Sequence, residues 1–494
     1  MATPSDEMNT KLTWRRFEDG ENQWDSFTDK IFNEDTSHKC PTYVHKTPPC
    51  QGSCPSGEDI RGWLAIVRQM EKPPVDMEWQ EYAFRRSTTA NPFPSMMGRV
   101  CPAPCQDGCN RNEVDDYVGI NSVEQYIGDT ALEKGYGFQP GPSTGKKVAV
   151  IGGGPAGLSA AYQLRLKGHA VTVYESLSDL GGMMRFGIPN YRIPRDKLAG
   201  EIKRIIDMGE IDVKLNTRVG KDVSVADVEA SHDAVLWAVG CWTGRGLPVP
   251  GWENTPNCVS GVAFLKAFNE GRMQVTASKV VCVGGGDTSI DVVSVARRLG
   301  HIEAENPSER PELVVNDGFV SHDAAVTAAR QGAVVTLTSL FPKANMTAAE
   351  HEVNDALTEG VTILDEVMPT EVVLGTDGRA TGLKIAQCKM EDGRPVPVEG
   401  TEQLLEADLI VSAIGQGGDM EGLEEFDNGR GLMNADKFYQ VPDRPGHFVA
   451  GDIVRPHLLT TAIGQGSIAA DTIDEYLKGR ELKKRPKVDV HHFD

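Results

Sequence analysis

The chain has 494 residues, 52 of them glycine and only 6% aromatic, a length for about three domains of glycine-rich α/β texture. Asp and Glu number 71 against 50 Lys and Arg, and the net charge of −21 argues against a general nucleic-acid or anionic-membrane surface while leaving room for a small basic docking patch. No apolar run approaches the ~20 residues of a membrane span, and the polar stretch Met1–Arg16 lacks an apolar signal core, so a cytoplasmic protein without a membrane span is the expectation.

Residues 1–145 are rich in proline and hold six of the ten cysteines: Cys40, Cys50, Cys54, Cys101, Cys105 and Cys109. In a large chain with no export signal, such clustering points to metal or free thiols rather than disulfides. The gaps in Cys50-x3-Cys54 and Cys101-x3-Cys105-x3-Cys109 fall on helix-like turns, so neighbouring sulfurs can converge. About four soft anionic ligands suit an iron–sulfur cluster. Zinc is the competing reading, although zinc knuckles more often use x2 gaps. Apolar stretches such as Ile60–Met70 predict a small helical domain held together by its cofactors. Gln139–Lys146 reads as a linker.

Lys147–Ile151 is then a short buried strand, followed by Gly152-Gly-Gly154-Pro155-Ala156-Gly157, a helix over 156–167 and a strand over 171–175. In this βαβ unit Gly152 permits the tight turn, Gly154 lets the backbone approach a pyrophosphate, and Gly157 lets helix and strand pack closely. Glu175 ends the second strand, where an acid accepts hydrogen bonds from ribose hydroxyls. Leu180-Gly181-Gly182-Met183 and Phe186-Gly-Ile-Pro189 follow. Together with Phe448-Val-Ala-Gly451-Asp452 and the glycine-rich stretch 464–470, they point to FAD in this first fold, which is interrupted and resumed later. The similar strands in 233–240 and 408–415 mark the crossings.

The pattern recurs at Lys279–Val283, with Gly284-Gly-Gly286-Asp287-Thr288 and a helix over 288–299. This second fingerprint suits a nicotinamide nucleotide. Asp287 reads equally as a helix N-cap or as a group at the nucleotide. Ala333–Thr338 is the strand that should follow that helix directly, so 301–332 reads as an insertion. Residues 478–494 form a basic polar tail. Cys241, Cys258, Cys282 and Cys388 read as ordinary buried thiols. The expected fold is α/β. A helical iron–sulfur domain (1–145) precedes an FAD-binding Rossmann-like domain (146–275 and 406–480), with a second Rossmann-like NAD(P)H-binding domain (276–405) inserted in it and a tail over 481–494.

The segment Gly98-Arg-Val-Cys-Pro-Ala-Pro-Cys-Gln-Asp-Gly-Cys109, together with Gly284-Gly-Gly-Asp-Thr-Ser-Ile-Asp291, resembles the small subunit of bacterial glutamate synthase and its relatives over most of 35–480. The N-terminal part of dihydropyrimidine dehydrogenase is similar. The resemblance implies two [4Fe-4S] clusters, FAD and an NAD(P)H domain, with hydride passing to the flavin and single electrons leaving through the clusters. It implies Cys54, Cys101 and Cys105 on one cluster, with Glu124 in the place of the non-cysteine ligand. It implies Cys40, Cys50 and Cys109 on the other.

The chain departs from that pattern in three places. Where the family has two close cysteines before Cys50, this chain has only Cys40, and His45 falls where a thiolate is expected; His45 ligates, or that cluster is three-liganded or missing. Relatives that use NADPH carry an arginine pair after the strand ending at Thr338, and here Ser339-Leu-Phe-Pro-Lys343 stands instead, so NADH is expected over NADPH. The insertion, the basic tail and the Cys40–Cys50 segment look more like DsrL, the relative that links NADH to dissimilatory sulfite reductase. That relative continues into a ferredoxin-like region, whereas this sequence stops at Asp494, so a shortened chain or a compact relative is expected. The expected partner is a redox enzyme, sulfite reductase or the glutamate synthase large subunit.

Overall fold

The computed structural model describes residues 48–114, 118–271, 277–299 and 333–483. Cys40, His45, the expected insertion 301–332 and the tail from 484 lie outside the described residues.

The first unit is helical: α1 (Pro49–Ser53), α2 (Ile60–Val67), α3 (Trp79–Ser87), α4 (Pro94–Val100), α5 (Pro104–Asp107) and α6 (Ile120–Glu133). The α2 helix starts where the Asp59 carboxylate accepts the Gly62 N–H at 3.0 Å. It buries Ile60, Trp63 and Ile66 along one face. The buried stripe of α6 runs Ile120, Glu124, Ile127, Ala131, so helical period alone carries one acid into the core. The α4 and α6 helices cross at glycines. A Cβ on Gly128 would lie 2.1 Å from the Ser95 nitrogen, and one on Gly98 would lie 2.4 Å from that of Gln125. Only hydrogen fits at this crossing, which brings the residues after Gly98 toward those around Gln125.

The first sheet is built from β1 (Lys147–Ile151), β2 (Ala170–Tyr174), β3 (Ile211–Lys214) and β4 (Ala234–Trp237). Its helices are α7 (Pro155–Leu166), α8 (Met183–Phe186), α9 (Arg195–Ile206) and α10 (Val225–Ser231). The chain then leaves through β5 (Thr243–Gly244). Next come β6 (Cys258–Ser260), α11 (Gly261–Asn269), β7 (Lys279–Val283), α12 (Asp287–Leu299), β8 (Val334–Thr338), α13 (Glu350–Thr358) and β9 (Thr362–Leu364). An antiparallel sheet follows, made of β10 (Val367–Leu374), β11 (Ala380–Glu391), β12 (Arg394–Pro397) and β13 (Gln403–Glu406). The path closes with β14 (Leu409–Ser412), β15 (Gln416–Gly417), β16 (His447–Val449) and α14 (Leu459–Leu477).

The first sheet has the order β16-β4-β1-β2-β3, with every pair parallel. Residues separated by more than two hundred positions thus pair side by side, Trp237 with Val449. This is the interrupted and resumed fold expected from the two remote segments. The second sheet, β6-β14-β7-β8-β9, is also parallel. It draws β6 and β14 from outside 276–405, so the second unit reaches wider than the limits read from sequence. The strand-like run 408–415 supplies β14 to that sheet, where its backbone pairs in parallel with β6 on one side and β7 on the other. Both parallel sheets are covered on two faces, which is why their strands read as continuous apolar runs. The antiparallel sheet packs Leu383 and Ile385 against Val281 and Val283 of β7.

The helical unit is tied to the first sheet unit by polar anchors. Glu201 of α9, fully buried, accepts the Ser95 and Met96 N–H groups at 2.8 and 3.2 Å at the N-terminus of α4. The Tyr162 hydroxyl donates to the Thr88 carbonyl at 2.9 Å. Among the described residues no helix is long and apolar enough to cross a membrane.

Candidate functional site

Of the residues expected at FAD, all but Gly157 line one cleft at the C-terminal ends of the first sheet. The strand ends and the N-terminus of α7 face it, the usual place for a pyrophosphate in an open α/β sheet. Gly157 acts from behind, since a Cβ there would lie 1.9 Å from the Gly152 carbonyl oxygen. At Gly154 a Cβ would meet only the Gly182 Cα, at 3.7 Å, so the backbone is open toward the cleft. Glu175 sits one residue past β2. Its Oε2 accepts the Gly153 N–H at 2.7 Å and its Oε1 the Leu177 N–H at 2.8 Å, which fixes the carboxylate at the lip. Asp452 reaches the cleft from the remote segment, and burial pushes its carboxyl up to about 6.

Sequence reading missed three groups at this cleft. Arg218, after β3, is held by Asp419 at 2.7 Å. The Lys266 ammonium stands 5.7 Å from the Trp242 ring centroid. The buried Cys241 thiol donates to the Asp452 carbonyl at 3.2 Å, so this cysteine belongs to the cleft wall. Cys258 and Cys388 are half-buried rather than buried, and Cys282 is fully buried.

A second cleft adjoins the first and shares Met183, Val262, Asp452 and Leu459 with it. Asp287 and Thr288 line this second cleft; Gly284 and Gly286 form the turn beside it. A Cβ on Gly284 would lie 2.5 Å from the Ala413 carbonyl oxygen. Asp287 is the first residue inside α12 rather than its cap, and its carboxyl bonds the Ala349 backbone. Burial raises the Asp287 carboxyl, and Asp291 one turn on is raised to about 6 by burial despite the neighbouring Arg192. At the end of β8, opposite Gly285, stands Ser339. In the first fold an acid, Glu175, holds the corresponding place.

The thiols divide by depth. Cys54 and Cys105 are buried and Cys101 is nearly so, whereas Cys50 and Cys109 are half-exposed neighbours. Burial, then the charge of Glu58, pushes the Cys54 thiol up to about 12. Cys101 is likewise pushed to about 12 by burial and by Glu124. Cys105 is raised by burial and by Cys54, Cys101 and Glu124 in turn. Glu124 is therefore no surface acid: it is 5% exposed, accepts from Asn91 Nδ2 at 2.8 Å and faces all three thiols. Glu58, which sequence reading missed, is buried beside it, and among the described residues its Oε2 has no hydrogen-bond partner. The signal was present, for Glu58 continues the x3 spacing one step past Cys54. Burial raises both carboxyls.

Acids and thiols crowded in low dielectric resist ionisation unless a cation joins them. That donor set fits an iron–sulfur cluster. Among the described residues no three such groups are placed to hold a single metal ion. Cys54, Cys101 and Cys105 nevertheless lie near enough that the charge of Cys54 raises the Cys101 thiol and the charges of both raise that of Cys105. Cys101 also lines the second cleft, and its thiol lies 3.9 Å from the Thr460 hydroxyl at the start of α14.

Parallel nucleotide folds, a flavin-type cleft and a buried thiol group define a flavin- and iron–sulfur-dependent NAD(P)H oxidoreductase. Residues 146–466 match the pyridine nucleotide-disulphide oxidoreductase family, and residues 22–136 match the 4Fe-4S domain II of dihydropyrimidine dehydrogenase. The chain is 34% identical over 462 residues to the glutamate synthase [NADPH] small chain of Mycobacterium tuberculosis, covering 89% of this chain and 88% of that one. It is 34% identical over 467 residues to the NADP(+)-dependent formate dehydrogenase subunit beta of Moorella thermoacetica, covering 87% of this chain but only 60% of that subunit. Mycobacterium tuberculosis FprA in complex with NADPH shares the fold, with a TM-score of 0.56 at 18% identity over 68% of this chain and 85% of that one. This chain belongs to the glutamate synthase small subunit-like family of electron-transfer flavoproteins.

Proposed function

We propose that the protein passes electrons between a nicotinamide nucleotide, NADH in preference to NADPH, and a partner redox enzyme, by way of FAD and two [4Fe-4S] clusters. The observation that carries this reading is the position of Cys101, whose thiol borders a cleft that is itself continuous with the flavin cleft. FAD, when bound, supplies the one chemistry that no side chain here offers: uptake of two electrons as hydride and their release singly. The glycine turn and the α7 N-terminus would hold its pyrophosphate, Glu175 its ribose, and Gly451 and Asp452 its far side. Cys54, Cys101, Cys105 and Glu124 would hold the cluster nearer the flavin. Cys50 and Cys109, half-exposed and adjacent, would hold the outer one with Cys40 and His45, and so face a partner.

The relatives reported above carry NADPH or NADP(+) in their names, and the NADH preference rests on this chain's own loop. Ser339, Leu340 and Phe341 follow β8 with no arginine to meet a 2′-phosphate. The backbone of Lys343, the one cation of 339–343, is held by the Asp365 carboxylate at 3.0 Å. The favoured partner is dissimilatory sulfite reductase, on the likeness of the segments named at the outset. A role as small subunit of glutamate synthase, feeding its large subunit, is the second reading, and the near end-to-end match to that small chain favours it.

Anaerobic titration of the FAD- and iron-loaded protein tests the nucleotide reading. Flavin bleaching by NADH at a lower concentration than NADPH is expected. The reverse order would favour the glutamate synthase reading, and no bleaching by either nucleotide would end the proposal.

A further inference from the structure

We propose that Arg192, carried on a strap with Tyr191, is a positioning residue that holds the nicotinamide-binding unit against the flavin cleft in register for hydride transfer. The proposal rests on reading the two clefts as flavin and nicotinamide sites. The strap runs from Phe186 to Arg195, between α8 and α9 of the first unit. Its root is anchored firmly. Arg195 donates to the Met184 and Ile188 carbonyls, both at 2.8 Å, and to the Asn269 side chain at 2.7 Å, while Asn269 donates to the Phe186 carbonyl at 3.0 Å.

The tip of the strap enters the other unit. Tyr191 packs into the core that α12, β7 and β8 share, and its ring lies 3.9 Å beneath the Arg298 guanidinium. Among the described residues its buried hydroxyl has no hydrogen-bond partner, so its place in this core rests on the apolar and cation–π contacts of the ring. The Arg192 guanidinium then bridges two helices, donating to Asp291 of α12 at 2.6 Å and to Glu352 of α13. Burial works against its charge, and the two carboxylates outweigh that and raise its pKa. With Gly187 and Ile188, these three charged groups line the cleft that Met183 and Asp452 share with the flavin site.

A planar guanidinium can engage two carboxylates on two helices at once, and a lysine ammonium cannot hold both in a fixed geometry. The bridge therefore sets where α12, whose first turn carries Asp287 and Thr288, stands relative to Met183. In the reaction a hydride, two electrons with one proton, leaves dihydronicotinamide as that ring becomes cationic and is taken up by oxidised flavin. The transfer requires the donor and acceptor rings in contact. A 1 Å misplacement costs on the order of 10²-fold in such a step.

The test is stopped-flow reduction of the FAD-loaded full chain by saturating NADH and, separately, by dithionite, with R192M, R192K and E352Q beside the wild type. For R192M we expect a fall of roughly 10²-fold in the NADH-driven rate. The long-wavelength nicotinamide–flavin charge-transfer band should be lost, with flavin content and dithionite reduction unchanged. R192K and E352Q, each leaving one carboxylate contact, should fall in between, and they carry the test if R192M does not fold. An NADH rate and charge-transfer band equal to wild type in R192K and E352Q would overturn the proposal, as would equal slowing by NADH and dithionite. Failure of the wild type itself to react with NADH would overturn the functional reading instead, and would show before any variant is compared.

Discussion

The Gly153 backbone N–H donates to Glu175 Oε2 at 2.7 Å, so the acid at the end of β2 is pinned to the glycine turn it serves. Glu175 thereby holds a fixed charge at the lip of the flavin cleft. Removing it should release the turn and, on the function proposed above, a ribose contact. For Glu175→Ala we expect FAD to bind roughly ten- to hundredfold more weakly, the worth of about 1.5–3 kcal/mol for a hydrogen bond to a charged group. Fluorescence of free flavin after desalting measures it.

The corresponding place in the second unit, opposite Gly285, is Ser339. A neutral strand end followed by Leu340 and Phe341 neither repels nor recruits a 2′-phosphate. Introducing the missing cations as the double variant Leu340→Arg, Phe341→Arg should lower KM for NADPH by about ten- to hundredfold, one charge-assisted contact's worth. The KM for NADH should change little. Steady-state dye reduction with each nucleotide reads the ratio.

The crossing of α4 over α6 has no room for a methyl group at Gly128. We expect Gly128→Ala to cost at least the ~1–3 kcal/mol of an overpacked core. The larger effect should be on iron content after reconstitution, because the crossing sets Cys101 beside Glu124. A parallel loss of helical circular dichroism and bound iron is the predicted pattern.

Asp452 gives a pH dependence with a definite sign. Burial raises its folded-state carboxyl from the usual 3.8 to about 6, so the flavin-free native state binds more protons than the unfolded state between those values. Its contribution to stability is therefore present at low pH and is lost as pH rises toward 6. In the flavin-free protein Asp452→Asn should stabilise by on the order of 2 kcal/mol at pH 7 and by almost nothing at about pH 3, below the unfolded value. Urea denaturation at the two pH values compares them.

The parts of the fold that were legible in the sequence are those fixed by local pattern. Lys147–Ile151 and Lys279–Val283 announce themselves as apolar runs into glycine turns, and both are central strands. Gly451 and Asp452 were legible because a Gly-Asp pair after an apolar strand is itself a local signal. What escaped depends on contacts between distant residues. Nothing in Asn190-Tyr-Arg192 marks it as a strap, since its partners Asp291 and Glu352 lie about 100 and 160 positions away. The widened limits of the second unit have the same origin. The strands β6 and β14 are ordinary apolar segments until they pair, Ile410 with Cys258 on one side and with Val281 on the other. Glu124 was legible through resemblance, but its burial follows from a helical period that Glu58, in the turn before α2, does not share.

On the function proposed above, electrons entering at the nicotinamide cleft reach the thiol group that borders it. Freeze-quench EPR of the reconstituted protein after anaerobic mixing with NADH tests this most directly. A reduced-cluster signal should appear in the wild type, and Cys101→Ser should lose it while its flavin still bleaches. Bleached flavin with no cluster signal in the iron-replete wild type, or an unchanged signal in Cys101→Ser, would contradict the account.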